Sequence, residues 1–453
     1  MRKFFFVLGV GMTLIGTSAS AQCFKKIVAG QDFFLAISQD GTLWAWGENG
    51  SGQLGDGTTT DRTTPVQIST ATTWAFIAAG DNHSAAIKTD GTLWTWGNDS
   101  YGQLGNGASG SVTSPLQIGS DTNWKEVAVG DRGSLAVKTN GTLWSWGGNT
   151  NYYLGNGQST SYVSQVPVQV GSATDWNHIY GNALHGLAIK NSGTLWAWGY
   201  NNYGQLGIGS TTNSDVPVQV GTASDWKEIA TGDQLSLALK NDNTLWAWGT
   251  SNSSNLNIGT AASPVQIGTA SNWKTVSVKK YSTSSYALLT RADGTLWAWG
   301  NDTSQQLGNG AGTTNYSSPT QIGTNTNWAN ATAGYLQSSG IKTDNTFWVW
   351  GATSLVGNGT GETNSPTQYA CTALNVIEQN ASKDIKFYPN PATSKITVSG
   401  VKVSKVSVYD QSGRKYDLQT VNNEINVSKL TSGIYILVTE TDKGTFSDKL
   451  IKN

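Results

Sequence analysis

The sequence is poor in charge and in the residues that build helices. Charged residues make up 13% of the 453 positions, and there are only 2 Met, 2 Cys and 3 His. A shortage of straight-chain residues argues against a helical protein, because those residues have the highest helix propensity. The formal net charge of -1 offers no electrostatic attraction for nucleic acid. Gly (54) and Trp (20) are abundant instead, which favours short strands joined by many turns.

The N-terminus has the pattern of an export signal. Basic residues are followed by an apolar stretch over 4–15 and by a small-residue cleavage site over 19–21, which predicts a signal peptide at residues 1–21. Cys23 raises the alternative of a lipoprotein, but Gln22 disfavours it because lipid attachment prefers a small residue at that position. No other apolar run is long enough to cross a bilayer. We therefore expect an exported protein that is not integral to a membrane.

One short motif recurs through most of the chain. Trp-x-Trp-Gly occurs seven times at intervals of 50 to 52 residues, and the six remaining Trp lie between successive copies, so that all 20 belong to the repeat. The copies begin at Trp44, Trp94, Trp144, Trp196, Trp246, Trp297 and Trp348. The chain is thus mainly an array of seven units.

Each unit predicts four short antiparallel strands. In the unit over 124–171, Asn140-Gly141 predicts a two-residue hairpin turn, because this pair tolerates positive φ. The strands are predicted at 124–129, 134–138, 142–146 and 167–171, the last beginning at Pro167. Four strands per unit fit a propeller blade, whereas a linear solenoid would need atypical capping units. The predicted fold is all-β, a seven-bladed β-propeller over 22–372.

The two ends of the array predict how the ring closes. No first strand follows the last unit, and residues 24–30 supply a strand of that type before the first Trp pair. We therefore expect one blade to contain strands from both termini. Cys23 and Cys371 fall three positions apart in repeat coordinates, which predicts a disulfide across the seam; two unpaired cysteines are the alternative.

The repeat resembles a known family. Gly-Thr-Leu-Trp-x-Trp-Gly-x-Asn-x-x-Gly-Gln-Leu-Gly-x-Gly, fullest over Gly91–Gly107 and Gly193–Gly209, is similar to the regulator of chromosome condensation repeat, over about residues 24–370. The resemblance implies a seven-bladed propeller. It implies no single function, since the family includes a nucleotide exchange factor that binds chromatin, ubiquitin-ligase modules, a photoreceptor and a secreted enzyme inhibitor. Nuclear exchange activity does not suit an exported chain, and core packing accounts for the Trp residues without photoreception.

The composition changes after a predicted linker at 373–383. Residues 384–453 contain no Trp and hold ten Lys and Arg against seven Asp and Glu. Short alternating strands predict a small β-sandwich here. The Tyr-Pro-Asn-Pro start, the Gly-Arg turn and the basic end resemble the C-terminal sorting domain of the type IX secretion system. The resemblance implies a bacterium of the Bacteroidetes type, handling by that machinery, removal of the domain, and release or attachment to the cell surface. An accessory binding domain is the alternative.

Candidate chemistry is sparse. His83 and His185 share a repeat position on different blades, so they cannot form a compact metal site, and the sequence shows no catalytic triad or phosphate-binding loop. Asp81, Asp131 and Asp233 are interpreted as turn formers. We expect no catalytic residue, no metal and no cofactor.

The loop that follows each Trp-x-Trp-Gly is the better candidate. Three adjacent blades offer tyrosines among Asn, Ser and Thr, a composition typical of binding surfaces: Tyr101, Tyr152, Tyr153, Tyr200 and Tyr203. Alternatively, these tyrosines fill gaps between blades. The sequence thus predicts a secreted or cell-surface, non-catalytic propeller that binds a protein or glycan. The alternative is an extracellular polysaccharide lyase or hydrolase, which carboxylates clustered at the ring's mouth would favour.

Overall fold

The computed structural model describes residues 24–181, 184–250, 259–281, 284–352, 362–369, 386–388, 390–399, 402–409, 415–441 and 444–453. The chain divides into two compact units, Met1–Cys371 and Thr372–Asn453. The signal peptide, the linker, Cys23 and Cys371 lie outside the described residues, so the disulfide stays a prediction. No helix in the described part of the chain has the length and hydropathy needed to cross a membrane.

The first unit is built from seven antiparallel sheets, each made of four strands that are consecutive in the chain. This confirms the predicted propeller. The first four blades are β1 Phe24–Ala29, β2 Phe33–Ser38, β3 Leu43–Gly47, β4 Arg62–Ser69; β5 Trp74–Ala79, β6 His83–Lys88, β7 Leu93–Gly97, β8 Val112–Gln117; β9 Trp124–Val129, β10 Gly133–Lys138, β11 Leu143–Gly148, β12 Val163–Gln169; and β13 Trp176–Gly181, β14 His185–Lys190, β15 Leu195–Gly199, β16 Ser214–Gln219.

The other three blades have the same order. They are β17 Trp226–Thr231, β18 Leu235–Lys240, β19 Leu245–Thr250, β20 Thr260–Gln266; β21 Trp273–Tyr281, β22 Ser284–Arg291, β23 Leu296–Gly300, β24 Tyr316–Ile322; and β25 Trp328–Ala333, β26 Gln337–Lys342, β27 Phe347–Gly351, β28 Thr363–Gln368. The one helical element in the described ranges is a 3₁₀ turn at Thr150–Tyr152.

The ring closes between two blades, so the prediction of a blade shared by both termini is wrong. Blade 1 contains β1 to β4 and blade 7 contains β25 to β28. At the seam between them, the Phe24 and Phe347 rings lie 5.4 Å apart, edge to face. The Gln31 carbonyl accepts the Tyr335 amide at 2.9 Å and the Gln337 side-chain amide at 3.0 Å. The strand at Phe24–Ala29 belongs wholly to blade 1, because each first strand pairs with the second strand that follows it in the chain. Blade 7 has its own first strand, β25.

Two local predictions in blade 3 also change. Lys138 and Thr142 are hydrogen-bonded across a three-residue loop in which only Gly141 has positive φ (77°), so the hairpin is not a two-residue turn. The Asn140 side chain accepts the Thr142 hydroxyl at 2.8 Å and stabilises this longer loop. Pro167 lies inside β12, in the stretch where the pairing with β11 shifts register, and an outermost strand tolerates its missing N–H there.

Three aromatic rings and one cation form the core of each of blades 2 to 7. In blade 3, the Trp124 and Trp144 rings lie 5.9 Å apart, edge to face, and the Lys138 ammonium lies 4.4 Å from the first ring and 3.8 Å from the second. Trp144 also donates its indole N–H to the Thr142 hydroxyl at 2.8 Å. The recurring Lys or Arg at the end of the second strand is thereby explained as a cation-π partner.

Neighbouring blades are joined by an inter-blade latch, a loop carbonyl that accepts two hydrogen bonds from the next blade. The Gln103 carbonyl, in the loop after β7, accepts the Trp146 indole N–H and the Ser134 hydroxyl of blade 3, both at 2.9 Å. Gly105 must lack a side chain, because its φ is +72° and a Cβ would lie 2.7 Å from the Trp146 ring. Equivalent indole bonds go to the carbonyls of Gln53, Tyr153, Gln205 and Gln306.

The second unit consists of two four-stranded sheets, β29-β30-β34-β33 and β32-β31-β35-β36, which confirms the predicted small sandwich. Its core contains Ile396, Val406, Val408, Ile425 and Leu437. The strands are β29 Lys386–Tyr388, β30 Lys395–Ser399, β31 Val403–Tyr409, β32 Lys415–Leu418, β33 Thr420–Val421, β34 Glu424–Asn426, β35 Gly433–Thr441 and β36 Gly444–Lys452.

The latch predicts unequal effects for the two Trp of one motif. Trp146→Phe removes a fully buried donor and leaves a void, so the free energy of unfolding should fall by about 2–4 kcal/mol. Trp144→Phe, the matched control, removes a partly exposed indole and should cost about 1 kcal/mol. Urea denaturation measures both. Equal losses would show that the inter-blade bond adds nothing to the packing of the ring.

Candidate functional site

The described loops between the third and fourth strands leave the same end of the ring, which we call the loop face. The turns between first and second strands lie at this end too, since the Glu48 amide after β3 donates to the Asp32 carbonyl at 2.8 Å. Both kinds of connection therefore contribute to one surface.

Each described loop is held from inside by one buried side chain. Asn149 accepts the Leu154 amide at 2.9 Å, and its own amide donates to the Gln158 and Ser159 carbonyls at 2.8 and 2.9 Å. Asn49, Asp99, Asn201 and Asp302 accept the corresponding amide in their loops. This role was not predicted, although an Asn or Asp recurs two positions after the motif glycine in five of the seven units. The loops are thus fixed from within before any ligand arrives.

Four of the five candidate tyrosines have accessible rings on the loop face. Tyr101 is 39% exposed, and the Arg132 guanidinium of the next blade lies 4.5 Å from the centre of its ring. Tyr152 is half-buried in the 3₁₀ turn. Tyr200 and Tyr203 are half-buried, and their rings lie 6.0 Å apart, edge to face. The structure thus pairs two of them, while the others belong to separate loops of adjacent blades.

Tyr153 lies elsewhere. It is 2% exposed and packs in a core cluster with Leu135, Ile179 and Trp198. Its carbonyl is the latch acceptor for the Trp198 indole at 2.8 Å. It occupies the repeat position of Gln103, a signal that could have placed it inside. For this residue, the structure shows the gap-filling arrangement.

The paired histidines lie within the latch system. Ser134 donates its hydroxyl proton to Gln103, so His83 Nε2, 2.9 Å away, donates to the Ser134 oxygen. His185 and Ser236 repeat this contact at 2.7 Å. Burial lowers the pKa of His83 to about 4 and that of His185 to about 3. Among the described residues, no group of three His, Cys, Asp or Glu side chains could hold a metal ion.

Carboxylates converge where the central channel opens at the loop face, a region we call the mouth. Burial, followed by repulsion from Glu48 and Asp81, raises the pKa of Asp32 to about 6. Burial and Asp81 also raise the pKa of Asp131. The Lys279 ammonium lies 3.4 Å from Asp81. Residues interpreted from sequence as turn formers are therefore also neighbours across blades, because the ring brings equivalent turns together.

Comparison with known proteins agrees with this architecture. The profile described as RCC1-like domain matches residues 77–338, more than half of the chain. The chain belongs to the RCC1-like family. Regulator of chromosome condensation (RCC1) repeat profiles match residues 24–53 and 40–87 of this RCC1-like chain, and the profile described as Secretion system C-terminal sorting domain matches residues 386–453. Both predicted resemblances are confirmed. No curated protein sequence matches significantly.

Solved structures similar to the RCC1-like chain show the same fold at low identity. Human WBSCR16 is 18% identical with a TM-score of 0.62, covering 72% of this chain and 92% of its own. Prp20p from Saccharomyces cerevisiae is 20% identical with a TM-score of 0.61, covering 71% and 83%. Yeast RCC1 bound to Kap60 is 19% identical with a TM-score of 0.62, covering 86% and 94%.

The buried histidines of this RCC1-like chain predict a loss of stability in acid. The unfolded chain binds protons at these groups below about pH 6.5 while the folded protein keeps them neutral, so their contribution falls as pH drops. His185→Leu, which copies Leu235 at the same repeat position, should remove about 2 kcal/mol of this loss between pH 7 and 5.

The measurement is the difference in free energy of unfolding between wild type and variant at the two pH values. His178→Leu is the control, because the His178 side chain is 48% exposed. A difference that stays constant with pH for His185→Leu would contradict the assignment of a buried neutral imidazole.

Proposed function

We propose that this protein is an exported, non-catalytic binding propeller whose loop face over blades 2 to 4 holds a protein or glycan ligand. The observation that carries the proposal is the set of accessible aromatic rings on internally fixed loops, above all Tyr101 with Arg132 over its ring. Tyr and Arg contribute strongly to binding surfaces. Loops that are already ordered lose little conformational entropy when a partner binds.

Polar side chains around these rings support the same function. Asn202 donates to the Tyr200 hydroxyl at 3.0 Å, and Asp131 lies 3.2 Å from the Arg132 guanidinium. The surface therefore combines flat aromatic area with fixed donors and acceptors. Glycans and polar protein surfaces present the complementary groups.

The C-terminal sorting domain marks the chain for export to the cell surface or the medium. We further propose that residues 384–453 are recognised by the type IX secretion machinery and removed afterwards. We infer that the signal peptide at 1–21 takes the chain to the periplasm first. The ligand would then be an extracellular one, and the nucleic-acid and nuclear partners of distant family members do not suit this chain.

The loop-face proposal is tested by Tyr101→Ala/Tyr152→Ala/Tyr203→Ala. In a glycan array and in pull-downs with identified extracellular proteins, capture should fall at least about tenfold, because aromatic truncation at a binding surface costs more than about 1 kcal/mol. The midpoint of thermal unfolding should change little. Unchanged capture, or a collapse of stability without a specific loss of ligand, would overturn the proposal.

The chain offers a matched control on the same three blades. Leu116, Val168 and Val218 occupy equivalent positions in the second half of the outermost strands; Leu116 and Val218 are 40% and 36% exposed, and Val168 is half-buried. Substituting these three by Ala removes apolar surface outside the loops that carry the tyrosines. Capture by this variant should equal that of the wild type.

A second candidate function is an extracellular polysaccharide lyase or hydrolase, favoured by the carboxylates at the mouth. Asp32 has a raised pKa next to the Asp81 carboxylate, and such enzymes use a pair of carboxyl groups of which one has a raised pKa. Incubation with polysaccharides should give no products if the binding proposal is correct. Product formation that Asp32→Asn abolishes and the exposed Asp215→Asn preserves would establish the enzyme instead.

A further inference from the structure

The loop of blade 3 carries an aromatic side chain at a position where other loops have glycine. Three residues after the buried Asn or Asp of the loop, blades 1, 2 and 4 have Gly52, Gly102 and Gly204, with φ of 78°, 70° and 78°. Tyr152 occupies this position in blade 3, and its φ is 63°. Positive φ is unfavourable for a side chain as large as that of Tyr, and such strain is concentrated at functional sites.

Space at this position is also short. A Cβ atom on Gly52, Gly102 or Gly204 would lie 2.9, 3.0 or 2.8 Å from the outermost strand of the next blade. The 3₁₀ turn that contains Tyr152 lies against β15 and β16 of blade 4, and Tyr152 is half-buried there. Neither the backbone conformation nor the available space favours a tyrosine, which points to a role other than packing.

Tyr152 lies at the seam between blades 3 and 4, beside the loop that carries a pair of tyrosines. The Gly157 amide of the blade 3 loop donates to the Asp215 carbonyl at 2.8 Å, so this loop contacts the strand in which the blade 4 loop ends. The blade 4 loop presents Tyr200 and Tyr203, whose rings lie 6.0 Å apart. Two neighbouring loops therefore provide aromatic surface at one seam.

These two loops contain no charged residue. Residues 149–162 and 200–213 consist of Tyr, Asn, Gln, Ser, Thr, Gly, Leu and Ile, and Gln158, Ser159 and Asn202 are exposed on them. Amides and hydroxyls both donate and accept hydrogen bonds, as sugar hydroxyls require. The C–H faces of sugars pack on the electron-rich faces of aromatic rings. An acidic sugar or a charged protein surface would find no counter-charge in these loops.

We propose that the seam between blades 3 and 4 binds a neutral oligosaccharide, with Tyr152 as the stacking surface for one sugar and Tyr200 and Tyr203 as a second. Asp215, exposed beside the seam in β16, repels acidic sugars and adds to the preference for uncharged ones. This inference rests on the proposed binding function and narrows its ligand to one class.

The ligand class is tested by isothermal titration calorimetry of the chain without its predicted signal peptide. The probes are neutral hexasaccharides of glucose, mannose, galactose and xylose, with hexagalacturonate as the charged counterpart. At least one neutral hexasaccharide should bind at millimolar concentration or below, and hexagalacturonate should bind at least about tenfold more weakly. Failure of all the neutral sugars, or equal or tighter binding of hexagalacturonate, overturns this inference. Capture of an extracellular protein without any neutral sugar does the same but leaves the loop-face proposal intact.

Tyr152→Gly tests the position itself. Glycine adopts positive φ freely, so the midpoint of thermal unfolding should stay within about 2 °C of wild type or rise. Affinity for the bound hexasaccharide should fall at least about tenfold, because a stacking surface is lost. Unchanged affinity overturns the assignment, and so does a loss of affinity accompanied by a larger fall of the midpoint, which would show a packing role.

The chain offers a matched control on blade 6. Gln305 occupies the same repeat position, is half-buried and has a φ of 60°, so Gln305→Gly relieves the same backbone conformation away from the seam. Its affinity for the hexasaccharide should equal that of the wild type. A comparable loss of affinity in this variant would show that the effect comes from the loop backbone instead of a tyrosine contact, and would overturn the proposal.

Discussion

The propeller is held together by a recurring backbone carbonyl that five of the described loops present to the next blade. In these five seams, the carbonyl two residues before the loop's Leu-Gly glycine accepts the indole N–H of the next blade, as the Gln103 carbonyl does from Trp146. The donor is fully buried, so an unmade bond would leave a desolvated polar group in the core. This single contact joins a loop to the neighbouring sheet, and the sheets therefore share one rigid framework.

That framework separates packing from recognition. The motif glycines, the indoles and the cation between them stabilise the blade. The buried Asn or Asp at positions such as Asn149 holds the loop in one conformation through hydrogen bonds. Positions that have neither structural role can vary from one repeat to the next, and they occur in two places. One is the outer part of each loop, where Tyr101 and Tyr203 lie; the other is the inward side of each first strand, where Lys26 and Glu228 lie.

The sequence predicted the blades well because their determinants are local. The strand over Trp124–Val129, for example, matches the structure residue for residue, and the repeat period led directly to seven sheets. The phase of the repeat was harder to predict. A period is the same wherever a unit is taken to begin, and only strand pairing shows that Phe24 opens blade 1 instead of completing blade 7. Tyr153 was predicted on the surface for a related reason, because the segment around it has the composition of an exposed loop. Its repeat position is that of Gln103, whose carbonyl is a latch acceptor.

By itself, the sequence determined the all-β class, the count of seven units and the separate C-terminal sandwich with its sorting-domain motifs, because periodicity and turn chemistry encode them. Only the tertiary structure decided which side chains meet. Asp32 and Asp81, or Asp81 and Lys279, belong to different blades, so that no pattern within one unit relates them. They become neighbours because the ring closes and brings equivalent positions of distant repeats around one axis.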